Sequence, residues 1–259
     1  MSSVEDKPWP PVPPDMSYDY MAANELLEDP CRPFIVHQHQ LYKTKDGTKV
    51  YKMGGEEREY NFHRAAGDCA IKTHGRVLSK MPLNGMIDYD GYFMELATPL
   101  SHATTTPTQR KHIIPEMVKV IEALHDKHII HGDVKLENML LDTEGHVKLC
   151  DFEEGLFEDE DEEIWEGNVT WHYVSPNRRR REDDLGRDAP PRKEDDLFGL
   201  GLSIWSLYTG QVPFEEIAQD DLALREVLLR GETVDVDLID DGEIRDIVKG
   251  YLRQGGARI

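Results

Sequence analysis

Alternating apolar and polar positions mark the first regular part of the chain. FIVHQ (34–38), QLYKT (40–44) and TKVYKM (48–53) carry β-branched and aromatic residues in the spacing of strands. Asp46-Gly47, between the last two, supplies residues suited to positive φ, so a tight hairpin and an antiparallel sheet are predicted. Helix formers then fill residues 56–67 and end at Gly67, a residue suited to the position just past a helix. Strands are predicted again at AIKTHGRVL (70–78) and YFMELA (92–97). From Gln109 to Ile130 apolar residues recur at helical spacing through Ile114, Met117, Ile121 and Leu124, and Pro115 must kink this helix or begin its regular part. MLLD (139–142) and HVKLCD (146–151) flank the turn Thr143-Glu144-Gly145 as a second hairpin. An acidic stretch to Glu166 and an arginine-rich, proline-containing loop from Arg178 to Lys193 come next. LFGLGLSIWSLYTG (197–210) is apolar all round, the pattern of a buried helix, and amphipathic helix continues to Ile259. Strands early and helices late predict an α+β chain, a small sheet lobe followed by a helical lobe, with no internal repeat.

Residues 1–30 break this pattern. Pro8, Pro10, Pro11, Pro13 and Pro14 remove backbone donors and favour polyproline II, so a disordered leader is expected before a domain over 31–259. The N-lobe is placed at about 31–97 and the C-lobe at about 98–259. The leader lacks the basic start and apolar run of a secretory signal, and no stretch nears the roughly 20 apolar residues of a membrane span, so an intracellular place, cytoplasm or nucleus, is expected. Cys31, Cys69 and Cys150 form neither a disulfide framework nor a zinc-ligand spacing. A net charge of -21 argues against binding a nucleic-acid backbone and favours basic partners.

Candidate chemistry concentrates at His131-Gly132-Asp133, with Lys135 two and Asn138 five residues past the aspartate, followed beyond the second hairpin by Asp151-Phe152-Glu153. This array resembles the catalytic and metal-binding loops of the eukaryotic protein-kinase-like superfamily, serine/threonine type. The resemblance implies a bilobal α+β kinase fold in which Asp133 orients the substrate hydroxyl, Lys135 neutralises the γ-phosphate, and Asn138 and Asp151 hold Mg²⁺. It also implies that Lys52, on the strand carrying Val50, meets the α- and β-phosphates of ATP and pairs with a helix glutamate. Glu59, thirteen residues before Lys72, aligns best, with Glu56 and Glu57 on the same helix as alternatives. Ala70-Ile71-Lys72 is a decoy, because the helix precedes it. Met94 at the back of an adenine pocket, Glu95, Leu96 and Ala97 as a hinge, and Val50 with Leu140 as its walls complete the implied nucleotide site. The segment from Gly167 to Asn177 resembles the peptide platform, implying a protein substrate, and Asp196 matches an aspartate that ties down the catalytic loop.

Departures from the pattern are equally visible. No glycine lies between Phe34 and Thr44, Glu153 stands where the metal loop has glycine, and Gly132 stands where the catalytic loop has arginine. Constitutive activity is therefore expected, with Glu158 to Glu163 and Arg178 to Arg181 as two solvated charge runs. Asn177 takes the place of the glutamate that pairs with the arginine at 258, and the last helix of a full domain is expected to be missing. Two other functions remain open at this stage: a pseudokinase scaffold, and a small-molecule kinase resembling the aminoglycoside or choline type.

Overall fold

A computed structural model describes residues 17–36, 40–80, 87–159 and 170–259. They fall into two compact units, Met1–Leu96 and Ala97–Ile259. The proline-rich residues 1–16, residues 37–39 and most of the acidic run lie outside the described residues.

The first unit contains β1 (Ser17–Asp19), α1 (Tyr20–Leu26), β2 (Ile35–Val36), β3 (Gln40–Lys43), β4 (Lys49–Met53), α2 (Glu57–Ala66), β5 (Thr73–Lys80) and β6 (Ile87–Glu95). One sheet of order β1-β5-β6-β4-β3-β2 joins all six strands, antiparallel except for the β1–β5 pair. Residues 17–26, expected to belong to a disordered leader, instead form β1 and α1. Tyr18, Ala23 and Leu27 are apolar residues hidden among its polar neighbours, and the tertiary burial of Ala23 and Leu27 outweighs the local composition.

The β3–β4 hairpin forms as predicted, but Asp46 serves it differently. Gly47 alone of the two takes positive φ, 68°, while the Asp46 carboxylate accepts from the Thr48 N–H at 3.0 Å and the Thr44 hydroxyl at 2.6 Å. α2 buries Tyr60, Phe62 and Ala66. Gly67, φ 58°, ends it by donating its N–H to the His63 carbonyl.

The second unit begins with β7 (Thr98–Pro99) and α3 (Pro107–Asp126), then β8 (Ile129–Ile130), β9 (Met139–Leu141), β10 (Val147–Leu149) and β11 (Leu156–Phe157). It closes with α4 (Pro176–Leu185), α5 (Lys193–Thr209), α6 (Asp221–Arg230) and α7 (Gly242–Gln254). α3 starts on a capping box, Thr106 with Gln109, and contains Pro115 inside its length. It stops at Asp126, short of the predicted Ile130, because Ile129 and Ile130 pair with Phe157 and Leu156 as strand. α5 buries residues on every side against α3 and α7, as its uniformly apolar sequence requires. No helix of the described residues is long and apolar enough to cross a membrane.

Two expectations about the arginine run fail together. Ser175 caps α4 by accepting from the Arg178 N–H, and Pro176 occupies the first turn, so the stretch predicted as loop is helix to Leu185. Arg178 and Arg179 are 2% and 6% exposed, not solvated, because Glu182 one turn along lies 3.4 Å from Arg178 Nε and 2.6 Å from Arg179 Nη1. Arg181 turns the other way and reaches Asp195 at 2.5 Å.

Candidate active site

In the first unit, Lys52 and Glu59 meet directly. Lys52 Nζ lies 2.7 Å from Glu59 Oε1, and the two residues are 5% and 1% exposed. Removing two charges from water is costly, and such a pair persists only where further hydrogen bonds complete it. Tyr92, directly across from Lys52 in the β4–β6 ladder, donates its hydroxyl to the same Glu59 oxygen at 2.8 Å. Glu57 pairs instead with Arg76, and Glu56 sits at the N-cap of α2 without a side-chain capping bond. Of the three glutamates considered from sequence, the Lys52 ammonium thus contacts the third. Lys72 of the decoy motif is exposed.

Val50 and Met94 are ladder partners and both are buried. Beyond them the Glu95 N–H donates to the Lys72 carbonyl at 2.9 Å and the Leu96 N–H to the Thr48 carbonyl at 3.0 Å. Those two amides hold the end of the sheet.

In the second unit the loop between β8 and β9 gathers the remaining residues. Asp196, in the first turn of α5, accepts from the His131 N–H at 2.8 Å and the Gly132 N–H at 2.9 Å, and its carboxylate lies 2.9 Å from His125 Nε2. The loop reaches α5 this closely because Gly199 has no side chain: a Cβ there would stand 2.3 Å from the Val134 carbonyl oxygen. His131 is buried, packs against Phe152 in a tilted arrangement at 4.6 Å between ring centres, and lies 3.0 Å from the Cys150 carbonyl through Nε2. These contacts tie the loop between β8 and β9 to the segment after β10 that carries Asp151.

Asp133 then receives two side chains on one oxygen. Lys135 Nζ donates to its Oδ2 at 2.5 Å and to the Thr170 hydroxyl at 3.0 Å, and Asn138 Nδ2 donates to the Asp133 carbonyl at 2.9 Å and to Oδ2 at 3.3 Å. Burial opposes the Lys135 charge, but the carboxylate of Asp133, with Asp151 adding, raises its pKa above the ordinary lysine value. Lys135 is an ammonium at any physiological pH. The Asn138 carbonyl accepts from the Cys150 N–H at 3.0 Å, fixing the distance between the two loops along the backbone. Asp151 itself adopts φ 66°, in the left-handed region that aspartate tolerates better than most residues. Glu153 does not take positive φ, so its position does not call for the left-handed freedom of glycine. Leu140 lies half-buried in β9, between Pro99 of β7 and Lys148 of β10.

Sequence reasoning named Lys52, Glu59, Asp133, Lys135, Asn138, Asp151 and Asp196, and each unit brings its own members together. It missed Tyr92, His125 and Thr170. Tyr92 was within reach of sequence, since pairing the two strands so that Val50 faces Met94 sets Tyr92 opposite Lys52. Nothing local distinguishes His125 from other helix-end histidines.

A family model for the protein kinase domain matches residues 87–246. Serine/threonine-protein kinase MRCK beta of Homo sapiens is 35% identical over 104 residues, 39% of this chain and 6% of that protein. The probable cAMP-dependent protein kinase catalytic subunit of Encephalitozoon cuniculi is 34% identical over 105 residues, 40% of this chain and 30% of its own length. RAC-beta serine/threonine-protein kinase B of Xenopus laevis is 34% identical over 121 residues, 46% of this chain and 23% of that protein. The chain thus spans less than a third of each of these relatives.

Proposed function

The chain belongs to the protein kinase domain family, and on that premise we propose that it transfers the γ-phosphoryl group of ATP, with Mg²⁺, to a serine or threonine hydroxyl of a protein substrate. The observation that carries this reading is the Asp133 carboxylate, held on Oδ2 by Lys135 and Asn138 in a loop that Asp196 suspends from α5. Phosphoryl transfer asks chiefly for positioning and charge neutralisation, and a carboxylate fixed at one oxygen offers the other to orient the attacking hydroxyl and take its proton.

Lys135, charged and beside that carboxylate, is placed to meet negative charge building on the transferred group. Asn138 and Asp151 offer an amide and a carboxylate oxygen, the hard donors that suit Mg²⁺. A metal held by these two residues would supply positive charge against the phosphates of the nucleotide. Lys52, oriented by Glu59, serves the α- and β-phosphates, and Val50, Met94 and Leu140 the faces of the adenine. With the Glu95 and Leu96 amides engaged in the sheet, Ala97 would be the hinge residue left to bond the base.

Transfer of labelled phosphate from ATP to a panel of basic peptides, with Mg²⁺ present, tests the proposal against Asp133→Asn as control. Nucleotide binding without transfer in the unaltered chain would replace the enzyme with a nucleotide-dependent scaffold, the reading that the glycine-free stretch from Phe34 to Thr44 favours.

A further inference from the structure

Side chains on a strand point alternately to opposite faces, and in the β4–β6 ladder the residue pairs fall in register: Tyr51 opposite Phe93, then Lys52 opposite Tyr92. The second pair faces α2 and builds the Lys52–Glu59–Tyr92 cluster. The first pair belongs to another cluster of buried residues, with Tyr42, Val77, Ala23 and Leu27, against which Tyr18 and Tyr20 pack. The phosphate lysine proposed above therefore rides on a strand whose opposite face is covered by residues 17–27.

This covering segment is anchored at both ends. Ser17–Asp19 pairs with Arg76–Leu78 at the β5 edge of the sheet. Past α1 the chain returns to the hairpin between β3 and β4, where Leu27 bridges Thr44, the Glu28 N–H donates to the Lys43 carbonyl at 2.8 Å, and the Lys45 N–H donates to the Leu26 carbonyl at 2.8 Å. Between the anchors the Tyr18 ring meets Phe93 edge-on at 5.1 Å, and Phe93 meets Tyr51 at 5.2 Å. Aromatic contacts of this kind are worth about 0.5–1.5 kcal/mol each beyond their area, and close-packed interiors transmit displacement from one neighbour to the next.

We propose that residues 17–28 are a strap that fixes β4 from its far face, making Tyr18, Ala23 and Leu27 positioning residues for Lys52. Naming Lys52 as the beneficiary rests on the kinase reading, while the mechanical coupling stands apart from it.

The test uses the full chain, unaltered and as Tyr18→Ala, Tyr18→Leu and Tyr18→Phe. The rate at which an amine-acylating reagent modifies Lys52 is followed by mass spectrometry, with Lys72, Lys119 and Lys135 as internal references. Loss of the ring contact is expected to raise Lys52 modification about tenfold by local opening, with the reference lysines within about twofold. Tyr18→Leu, which keeps apolar bulk and guards against simple misfolding, falls between, and Tyr18→Phe matches the unaltered chain. Where nucleotide binds, Tyr18→Ala raises the KM for ATP by a larger factor than it lowers kcat. Lys52 modification that stays constant in Tyr18→Ala, or rises only in step with the references, overturns the strap. A chain that binds no MgATP yet shows the selective Lys52 change sinks the kinase reading and leaves the strap in place.

Discussion

The two units assemble their chemistry by different means. In the helical unit Asp133, Lys135 and Asn138 lie within six residues of one another, and one distant carboxylate, Asp196, suspends their loop. In the sheet unit Lys52, Glu59 and Tyr92 come from a strand, a helix and a second strand, and the register of the sheet with the seating of α2 sets them side by side. The family model matches residues 87–246, a range that holds the loop residues and Tyr92 but neither Lys52 nor Glu59. Chemistry built into one loop can be read from residue spacing. Chemistry built by register appears only once the strands are paired.

The sharpest way to break that contrast is to change one residue in each unit and ask whether rate or stability responds. Asp133→Asn is expected to lower phosphate transfer by about 10²- to 10⁴-fold, the usual worth of a positioned acid-base group, while thermal unfolding moves little. Its carboxylate is partly exposed and the amide keeps an oxygen for Lys135. An equal loss of stability in calorimetry would show that the helical unit, too, depends on its site for folding.

Lys52→Met is the counterpart. It leaves the Glu59 carboxylate buried without its cation, a change that costs about 3–5 kcal/mol in comparable buried pairs. Urea unfolding should show that loss, and adding Glu59→Gln should return most of it. The double variant would then be folded and unable to use Lys52, which separates the lysine's part in holding the sheet from its part in phosphate transfer. Equal stability of the single and double variants would mean that the pair is not coupled.

How far each unit was legible follows from the same distinction. The loop and its aspartates were readable because their spacing is short and their residue types are demanded by the chemistry. The choice of Glu59 over Glu57 was readable only by counting back from the next strand, and the reason for the choice, that Arg76 claims Glu57, lies in the fold. The strand and helix at 17–26 were hidden by the prolines just before them. The arginine run read as solvated because its partner, Glu182, becomes a neighbour only once the segment is helical. In each failure a tertiary or helical contact reversed what local composition suggested.

A smaller effect sharpens the account of the helical unit. Asp196→Asn removes one of the two carboxylate oxygens that receive the His131 and Gly132 N–H groups, and a buried donor left unsatisfied costs about 1–3 kcal/mol. The loss should appear in urea unfolding, and transfer should fall as well because the loop that carries Asp133 is released. A fall in stability with full activity would show that Lys135 and Asn138 hold Asp133 without help from α5.

The smallest effect compares how the units hold an exposed carboxylate. Glu158 is lowered from the ordinary 4.5 to about 2, by hydrogen bonds from His128 and then from Lys193. Asp46 in the sheet unit is lowered from 3.8 to about 2, chiefly by the Thr44 hydroxyl and the Thr48 N–H. Each folded-state value lies below its unfolded value, so each contribution is complete above the unfolded pKa and disappears as pH falls toward about 2. Glu158→Gln and Asp46→Asn should each flatten the fall in melting temperature across that acid window. Salt distinguishes them: the partners of Glu158 are cations in acid, and about 1 M NaCl, which shortens the screening length to about 3 Å, should diminish its contribution. Asp46 is held first by neutral donors and should keep more of its own. Equal salt sensitivity in the two variants would mean that the charge of His128 and Lys193, rather than their hydrogen bonds, plays no distinct part at Glu158.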